Sequence, residues 1–151
     1  MPPPKLYLAG SWECKEEFQD YRQVIEALGF EVTSEWLDEE DAQHSVYTPS
    51  LAISHRASAI RDIENIESSD FVVCFTEDPL VPRVGGGRHW ESGYAYAIGL
   101  PIVYVGEKEH IFHYLPSATF LPTLNDLYLW LLAYPDTYEF EERLAAAGTW
   151  E

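Results

Sequence analysis

The residue with the clearest capacity for chemistry is a glutamate that closely follows three successive glycines. Gly85–Gly87 precede Glu91 by a few residues, and an apolar pattern of helical spacing begins between them. Glycines let a backbone approach a ligand closely, and the start of a helix favours the ionised form of a carboxylate. We therefore expect Glu91 to lie in the first helical turn, held as an anion and ready to act as a nucleophile. The alternative is a glutamate that only stabilises its helix.

Helical geometry predicts the direction of this carboxylate. At 3.6 residues per turn, one face of the helix is formed by Trp90, Tyr94, Ala97 and Ile98. Glu91 falls at the edge of that apolar face, beside Ile98. We expect the face to be buried, so that the carboxylate points toward the protein rather than the solvent.

A second carboxylate lies at the border of another apolar helical face. The spacing of apolar residues predicts a helix over roughly 55–68. Its predicted buried stripe consists of Ala59, Ile60, Ile63 and Ile66. Asp62 lies at the margin of this stripe, whereas Arg61 is expected to point away. An acid in such a position either lines a cleft or is a surface residue with a partly covered stem, and the pattern leaves both open.

Alternating strands and helices are predicted to hold these two acids. The apolar runs that indicate strands are Lys5–Ala9, Phe30–Val32, Phe71–Phe75, Ile102–Val105 and Ala118–Phe120. Helical patterns cover about 18–28, 55–68, 90–98, 124–131 and 139–147. This alternation predicts an α/β fold, a single-domain flavodoxin-like or Rossmann-like three-layer sandwich over residues 1–151 with a mostly parallel five-stranded sheet. Residues 135–151 are expected to form an interface or to cap the core.

Topology places the ligand crevice near the glycines. In a flavodoxin-like strand order 2-1-3-4-5, ligands bind between the loops that leave strands one and three. These loops are residues 10–14 and 76–90. The first contains Trp12, which would either stack on a base or pack against the core. In the second, the glycine amides and Arg88 could form a nest for a phosphate or carboxylate, although a run of glycines is also typical of a flexible lid.

Charge and composition exclude several classes of partner. The formal net charge is −17, from 9 basic and 26 acidic residues, so a nucleic-acid polymer is not expected to bind. No apolar run reaches the roughly 20 residues that cross a membrane, and Met1–Lys5 contains no apolar signal core. Two cysteines, Cys14 and Cys74, do not suggest a disulfide framework. We expect a cytoplasmic protein that makes no membrane contact.

Three stretches resemble, in order, the nucleoside 2-deoxyribosyltransferase family, which includes the 2'-deoxynucleoside 5'-monophosphate N-glycosidases. They are Lys5-Leu6-Tyr7-Leu8-Ala9-Gly10-Ser11-Trp12, then Asp62 with Asp70, and then Gly87-Arg88-His89-Trp90-Glu91-Ser92-Gly93-Tyr94-Ala95. Because they span roughly residues 5–105, the resemblance is more specific than a single motif. Asp70 itself precedes a strand and is interpreted as a structural cap or turn residue.

The resemblance implies cleavage of the N-glycosidic bond of a 2'-deoxyribonucleoside, with transfer of the deoxyribosyl group to another base through a covalent glutamyl intermediate. It implies Glu91 as the nucleophile, Asp62 as the acid that assists the leaving base or positions the nucleophile, and Tyr7 as the residue that holds the catalytic carboxylate. Two such carboxylates fit retaining glycosyl transfer. The predicted substrate-binding residues are Gly10, Ser11, Trp12, Gly85, Gly86, Gly87, Arg88 and Ser92. The expected partners are a nucleoside or nucleotide and a free base.

Two other functions remain open. One is hydrolysis of a nucleoside 5'-monophosphate to release the free base. In that reaction Arg88, Ser92 and the glycine amides would hold the phosphate. The basic loop before Glu91 favours this function, because the transferases of the family often carry a further acid in that loop. The other is a non-catalytic nucleotide-binding module on the same fold. No cofactor or metal is expected, since His110 and His113 are three residues apart but no third ligand is evident. By analogy with the family, the chain is expected to form a homo-oligomer.

Overall fold

The computed structural model describes residues 2–40, 49–76 and 86–134. Its strands are β1 (Lys5–Ala9), β2 (Glu31–Val32), β3 (Phe71–Phe75), β4 (Ile102–Val105) and β5 (Thr119–Leu121). Its helices are α1 (Lys15–Ala27), α2 (Pro49–Glu67), α3 (Gly87–Ala97) and α4, which covers residues 124–134 of the described part. Short 3-10 turns lie at Trp12–Cys14, Glu35–Asp38 and Ile111–Tyr114.

The five strands form one sheet in the order β2-β1-β3-β4-β5, and every neighbouring pair is parallel. This confirms the predicted flavodoxin-like order. β1, β3 and β4 are almost entirely buried, because parallel strands between two helical layers are covered on both faces. The register pairs Tyr7 with Val72 and Ala9 with Cys74, which brings the carboxyl ends of β1 and β3 side by side. That edge is where ligands bind in such folds.

Helices cover the two faces of the sheet. On one face, Phe18 and Tyr21 of α1 pack against Phe75 with ring centroids 4.8 Å and 5.3 Å away, and Phe71 stacks on Tyr134 of α4 at 5.0 Å. Successive strand residues point to opposite faces, so Val72 and Cys74 of β3 face the layer of α2 and α3. Cys74 shows this, because its Sγ lies 3.8 Å from the carbonyl oxygen of Arg88 in α3. The three-layer sandwich is confirmed.

Local hydrogen bonds and backbone angles set the ends of several elements. Thr123 and Asp126 form the capping box that begins α4, since the Asp126 amide donates to Thr123 Oγ1 at 3.2 Å and the Thr123 amide to Asp126 Oδ2 at 3.1 Å. Gly29 and Gly99 follow α1 and α3 with φ of +100° and +82°, which side chains disfavour. Asp70 is structural, because its carboxylate accepts the Lys5 amide hydrogen at 2.8 Å.

The predicted helix at 55–68 was wrong in its start and in part of its buried stripe. It begins at Pro49, and Ile66 is fully buried, but Ala59 is exposed and Ile60 is 50% exposed. The inward side of α2 instead carries Ser58, Asp62 and Ile66, which are spaced four residues apart, so Ala59 and Ile60 lie on its outer side. Across the described residues, no helix combines the length and apolarity needed to cross a membrane.

Cys14 is half-buried, and Cys74 is buried in β3. The helix predicted at 139–147 lies outside the described residues, as does the 135–151 segment that was expected to form an interface or a cap.

Candidate active site

A tyrosine and a glutamate meet across the layer between β1 and α3. Tyr7 is fully buried in β1, and its hydroxyl donates a hydrogen bond to Oε2 of Glu91, 84 residues later in the chain. Glu91 is only half-buried, so its carboxylate lies between the protein interior and the surface. The prediction that this carboxylate points toward the protein is confirmed. The contact also places Tyr7 against Glu91, which is the carboxylate that Tyr7 holds according to the family resemblance.

The predicted helical environment of Glu91 was wrong in two respects. α3 begins at Gly87, so Glu91 is its fifth residue and its first turn holds no acid. The buried face of α3 consists of Arg88, Ser92 and Ala95, whereas Trp90 is 57% exposed and Ile98 is 44% exposed. Small side chains at Ser92 and Ala95 let the helix lie close to the sheet, which the large aromatic residues would prevent. Apolar spacing alone therefore selected the wrong face.

The Glu91 carboxyl group has a strongly raised pKa. Burial raises it to about 8, the hydrogen bond from Tyr7 partly opposes this, and the negative charge of Asp62 adds to it. Loss of hydration therefore outweighs the favourable donor. The expectation that Glu91 is held as an anion is wrong below that pH in the free protein, because the group lies beyond the first turn and the helix dipole acts mainly within it.

Asp62 of α2 belongs to the same electrostatic environment. Its side chain is 26% exposed, and burial raises its pKa although Arg61 opposes that shift. The charge on Asp62 raises the pKa of both Glu91 and Tyr7. α2 and α3 thus bring the Asp62 carboxylate within electrostatic range of the Tyr7–Glu91 pair. That Asp62 lines a cleft stays a prediction. Two carboxyl groups that interact in this way titrate as a pair.

Arg61 was expected to point away from the protein but lies in a network beside Asp62. Its Nη2 and Nε donate to Asp62 Oδ1 at 2.9 Å and 3.1 Å, and its Nη1 lies 3.3 Å from Oε1 of Glu39. The Ser58 hydroxyl also donates to Glu39 Oε1. Sequence reasoning missed Glu39, although its position shortly after β2, at the edge where ligands bind in such folds, was an available signal.

The loop after β1 contains three of the predicted substrate-binding residues and contributes to the packing of the core. A Cβ on Gly10 would lie 2.1 Å from Cζ of Phe18, so this glycine is required by close packing. Trp12 is half-buried, with its ring centroid 6.2 Å from that of Trp36 and the Lys15 ammonium 4.7 Å above it. The packing alternative for Trp12 is therefore supported. Ser11 is half-buried at the same turn.

Arg88 and Ser92 do not face the solvent. Arg88 is 5% exposed, and its Nη2 contacts Oε2 of Glu109 at 2.8 Å. Ser92 is 4% exposed, and its hydroxyl donates to the His89 carbonyl at 3.1 Å. Neither side chain is placed to hold a phosphate in this conformation, because both are buried by α3 packing on the sheet. The exposed backbone of Gly86 and Gly87 remains a candidate for that contact.

Gly85 lies outside the described residues, as does the 77–84 segment that leads to it. The predicted residues that the structure describes fall into four groups, one of which is the turn of Gly10, Ser11 and Trp12 after β1. The structure brings the catalytic candidates together, it leaves Gly86 and Gly87 exposed at the start of α3, and it buries Arg88 and Ser92.

Comparisons with known proteins match this fold. The family model for nucleoside 2-deoxyribosyltransferase matches residues 6–126, whereas no curated protein matches the chain. Among solved structures, a 2-deoxyribosyltransferase from Bacillus psychrosaccharolyticus superposes with a TM-score of 0.61 at 20% identity, covering 82% of this chain and 90% of that one. A conserved protein from Enterococcus faecalis V583 gives 0.59 at 18% identity, covering 85% and 97%.

A third structure, the CMP N-glycosidase BcmB of Clostridium botulinum, superposes with a TM-score of 0.53 at 18% identity, covering 84% of this chain and 97% of that one. At these identities the structural matches show a shared fold. The family model is the stronger finding, because it covers most of the chain, including β1, α2 and α3. This chain therefore belongs to the nucleoside 2-deoxyribosyltransferase family.

Proposed function

We propose that this protein cleaves the N-glycosidic bond of 2'-deoxyribonucleosides and transfers the deoxyribosyl group to another base through a covalent intermediate on Glu91. Membership of the family supports an enzyme that acts on nucleosides or nucleotides. The observation that carries the finer proposal is the hydrogen bond from buried Tyr7 to Glu91, with the charge of Asp62 acting on both groups. A packing role for Glu91 would explain neither the buried donor nor the nearby acid.

The proposed chemistry uses one proton shared by two carboxyl groups. Tyr7 donates to Oε2 of Glu91, which leaves Oε1 to attack the anomeric carbon. As the new carbon–oxygen bond forms, the carbon–nitrogen bond breaks and its electron pair leaves with the base, which takes the proton from Asp62. A second base then attacks the same carbon, loses its proton to Asp62 and releases the Glu91 carboxylate. Two displacements return the sugar with its original anomeric configuration.

The raised pKa of Glu91 determines which protonation state can react. The reactive form has Glu91 ionised and Asp62 protonated, so exactly one proton is held by the pair. The last proton leaves near the Glu91 pKa of about 8, and above that pH Asp62 has no proton to donate. Tyr7 favours the reactive arrangement of that proton, because its hydroxyl stabilises the ionised form of Glu91.

Tyr7→Phe tests this arrangement. We expect wild-type kcat/KM for base release to be bell-shaped in pH and to fall above about pH 8. Loss of the Tyr7 hydroxyl removes a group that lowers the Glu91 pKa, so the alkaline limb should move to higher pH and the plateau should fall about 10-fold or more. The measurement is a pH–rate profile, with Tyr21→Phe on the opposite face of the sheet as the matched control. An unchanged limb in Tyr7→Phe would remove Tyr7 from the mechanism.

A second candidate function is hydrolysis of a nucleoside 5'-monophosphate. It is favoured by the exposed amides of Gly86 and Gly87 at the start of α3, where a phosphate would be stabilised by the helix, and by the fold shared with a CMP N-glycosidase. The pairing of Arg88 with Glu109 weakens it, because the nearest buried cation is already neutralised.

A substrate comparison separates the two functions. Base release should be measured for a 2'-deoxynucleoside and for its 5'-monophosphate, each with and without an acceptor base. Transfer predicts a higher kcat/KM for the nucleoside and a new nucleoside product when the acceptor is present. A higher kcat/KM for the monophosphate, together with a rate of base release that does not depend on the acceptor base, would instead establish the hydrolase. The homo-oligomeric state and the cytoplasmic location stay predictions.

A further inference from the structure

Three histidines converge beside the start of α3. His89 comes from the first turn of α3, and His110 and His113 come from the segment that follows β4. One ring nitrogen from each lies within 4.8 Å of the other two. The pair His110 and His113 was noted in the sequence, but its third member was missed because His89 is 21 residues away in the chain. We call these three residues the histidine cluster.

We propose that the histidine cluster binds a divalent transition metal ion of the zinc type through three imidazole nitrogens. Nε2 of His110 lies 3.2 Å from Nδ1 of His89, and in the metal-free protein the two rings share a hydrogen bond whose donor depends on their tautomers. Metal–nitrogen bonds of 2.0–2.1 Å at a tetrahedral angle require ligand atoms roughly 3.3 Å apart. Two ligands are therefore already at the spacing of a tetrahedral edge. The ligand atoms of the three histidines lie within 4.8 Å of one another. For all three to bind one ion, the third nitrogen must therefore move inward by about 1.5 Å.

A buried nitrogen without a partner supports a ligand in this position. His113 is 1% exposed, and its Nε2 has no hydrogen-bond partner among the described residues. A buried polar atom that makes no hydrogen bond is costly and uncommon in folded proteins. Packing alone would favour apolar residues here, whereas metal binding gives the three imidazoles a common role.

Glu109 supplies the outer contacts expected around a metal-binding histidine. Its Oε2 lies 3.7 Å from Nε2 of His89 and 2.8 Å from Nη2 of Arg88. A carboxylate on the far nitrogen orients a ligating imidazole, so His89 would bind through Nδ1. The Glu109 amide donates to Nδ1 of His113 at 3.0 Å in the metal-free protein. A metal that engages His113 must displace this hydrogen bond, because a neutral ring has one free lone pair.

The fourth coordination position would face a cavity. A cavity of about 960 Å³ is lined by His89 and His110 together with aromatic residues that include Trp90, Tyr104 and Phe112. Its lining does not include Tyr7, Asp62 or Glu91. The metal site is therefore separate from the proposed glycosyl chemistry and does not depend on it. Three protein ligands with an open position are typical of zinc sites that accept water or a small ligand.

Metal titration tests the site directly. The full chain, produced without a histidine tag and treated with chelator, should be titrated with Zn²⁺ by calorimetry and with Co²⁺ by visible absorption. We expect one ion per chain and a tetrahedral Co²⁺ spectrum. His110→Ala should weaken binding by more than the roughly 10–100-fold that loss of an outer partner costs. His89→Ala provides a second variant at a half-buried position, should His110→Ala fail to fold.

His55→Ala on α2 is the matched control and should bind the metal as the wild type does. In ¹⁵N spectra with diamagnetic Zn²⁺, the Glu109 amide should shift strongly, since its hydrogen bond to His113 is displaced. The proposal is overturned if no ion binds, if His110→Ala and His89→Ala bind as tightly as the wild type, or if His55→Ala loses binding to the same extent. Unchanged base release in His110→Ala would leave the metal site standing, because the two proposals are independent.

Discussion

Glu91→Gln is expected to lower kcat/KM for base release by about 10⁴-fold or more, because the amide cannot form a covalent glycosyl ester and removal of a nucleophile costs this much or more in comparable enzymes. Glutamine preserves the volume of the side chain and can still accept the hydrogen bond from Tyr7. Base exchange should be lost to the same extent as base release, since both pass through the same intermediate. The measurement is the initial rate of free-base formation under saturating and subsaturating substrate.

The control is Glu64→Gln, the same chemical change at an exposed position of α2, which should leave the rate unchanged. Stability provides a second control. The Glu91 pKa is raised from 4.5 to about 8 in the folded state, so its stabilising contribution is complete below about pH 4.5 and is lost as the pH rises through 8. At pH 8, Glu91→Gln should therefore be at least as stable as wild type in denaturant unfolding. An inactive variant that is also unfolded at pH 8 would contradict this account.

Asp62→Asn is expected to lower base release by about 10²–10⁴-fold for a substrate whose base must be protonated to leave. Asparagine cannot donate the required acid proton, and Arg61 would lose its ionic partner on Oδ1. The pH profile should also change shape. Without the Asp62 charge the Glu91 pKa falls somewhat, so activity should rise with pH to a plateau rather than decline above about pH 8.

A cationic substrate separates acid catalysis from general damage. An N7-methylated purine 2'-deoxynucleoside releases a neutral base without prior protonation, so Asp62→Asn should retain most of its activity on that substrate. Asp20→Asn, at an exposed position of α1, should act as wild type on both substrates. Equal losses on the two substrates would assign Asp62 to positioning rather than to proton transfer.

The buried strand β3 and the capping box of α4 could be read from the sequence because they depend on local residues. The run Phe71–Phe75 is apolar throughout, as a strand covered on both faces requires, and the Thr123–Asp126 box marks the start of α4. The family resemblance joined Tyr7 to Glu91, and the structure brings the two side chains together. Local composition could not have supplied that contact, because it spans 84 residues.

The missed features depend on tertiary packing. Trp90 and Ile98 follow helical spacing but remain exposed, since the sheet accepts the smaller Ser92 and Ala95. The protonation of Glu91 could not be read from its place near a helix start, because burial against β1 raises its pKa more than the hydrogen bond from Tyr7 lowers it. His89 belongs to the histidine cluster only because the fold places α3 beside the segment after β4. Each of these depends on which elements become neighbours.

The central claim is a covalent bond between Glu91 and the sugar, and intact mass spectrometry tests it most directly. The protein should be mixed with a 2'-deoxy-2'-fluoroarabinonucleoside, whose fluorine slows both displacements, without an acceptor base, and then quenched in acid. We predict a mass increase of one glycosyl group per chain, located by peptide mapping on Glu91, absent from Glu91→Gln and lost when an acceptor base is added. Continued base release from a protein that carries no adduct at any quench time, or an adduct on another residue, would contradict the account.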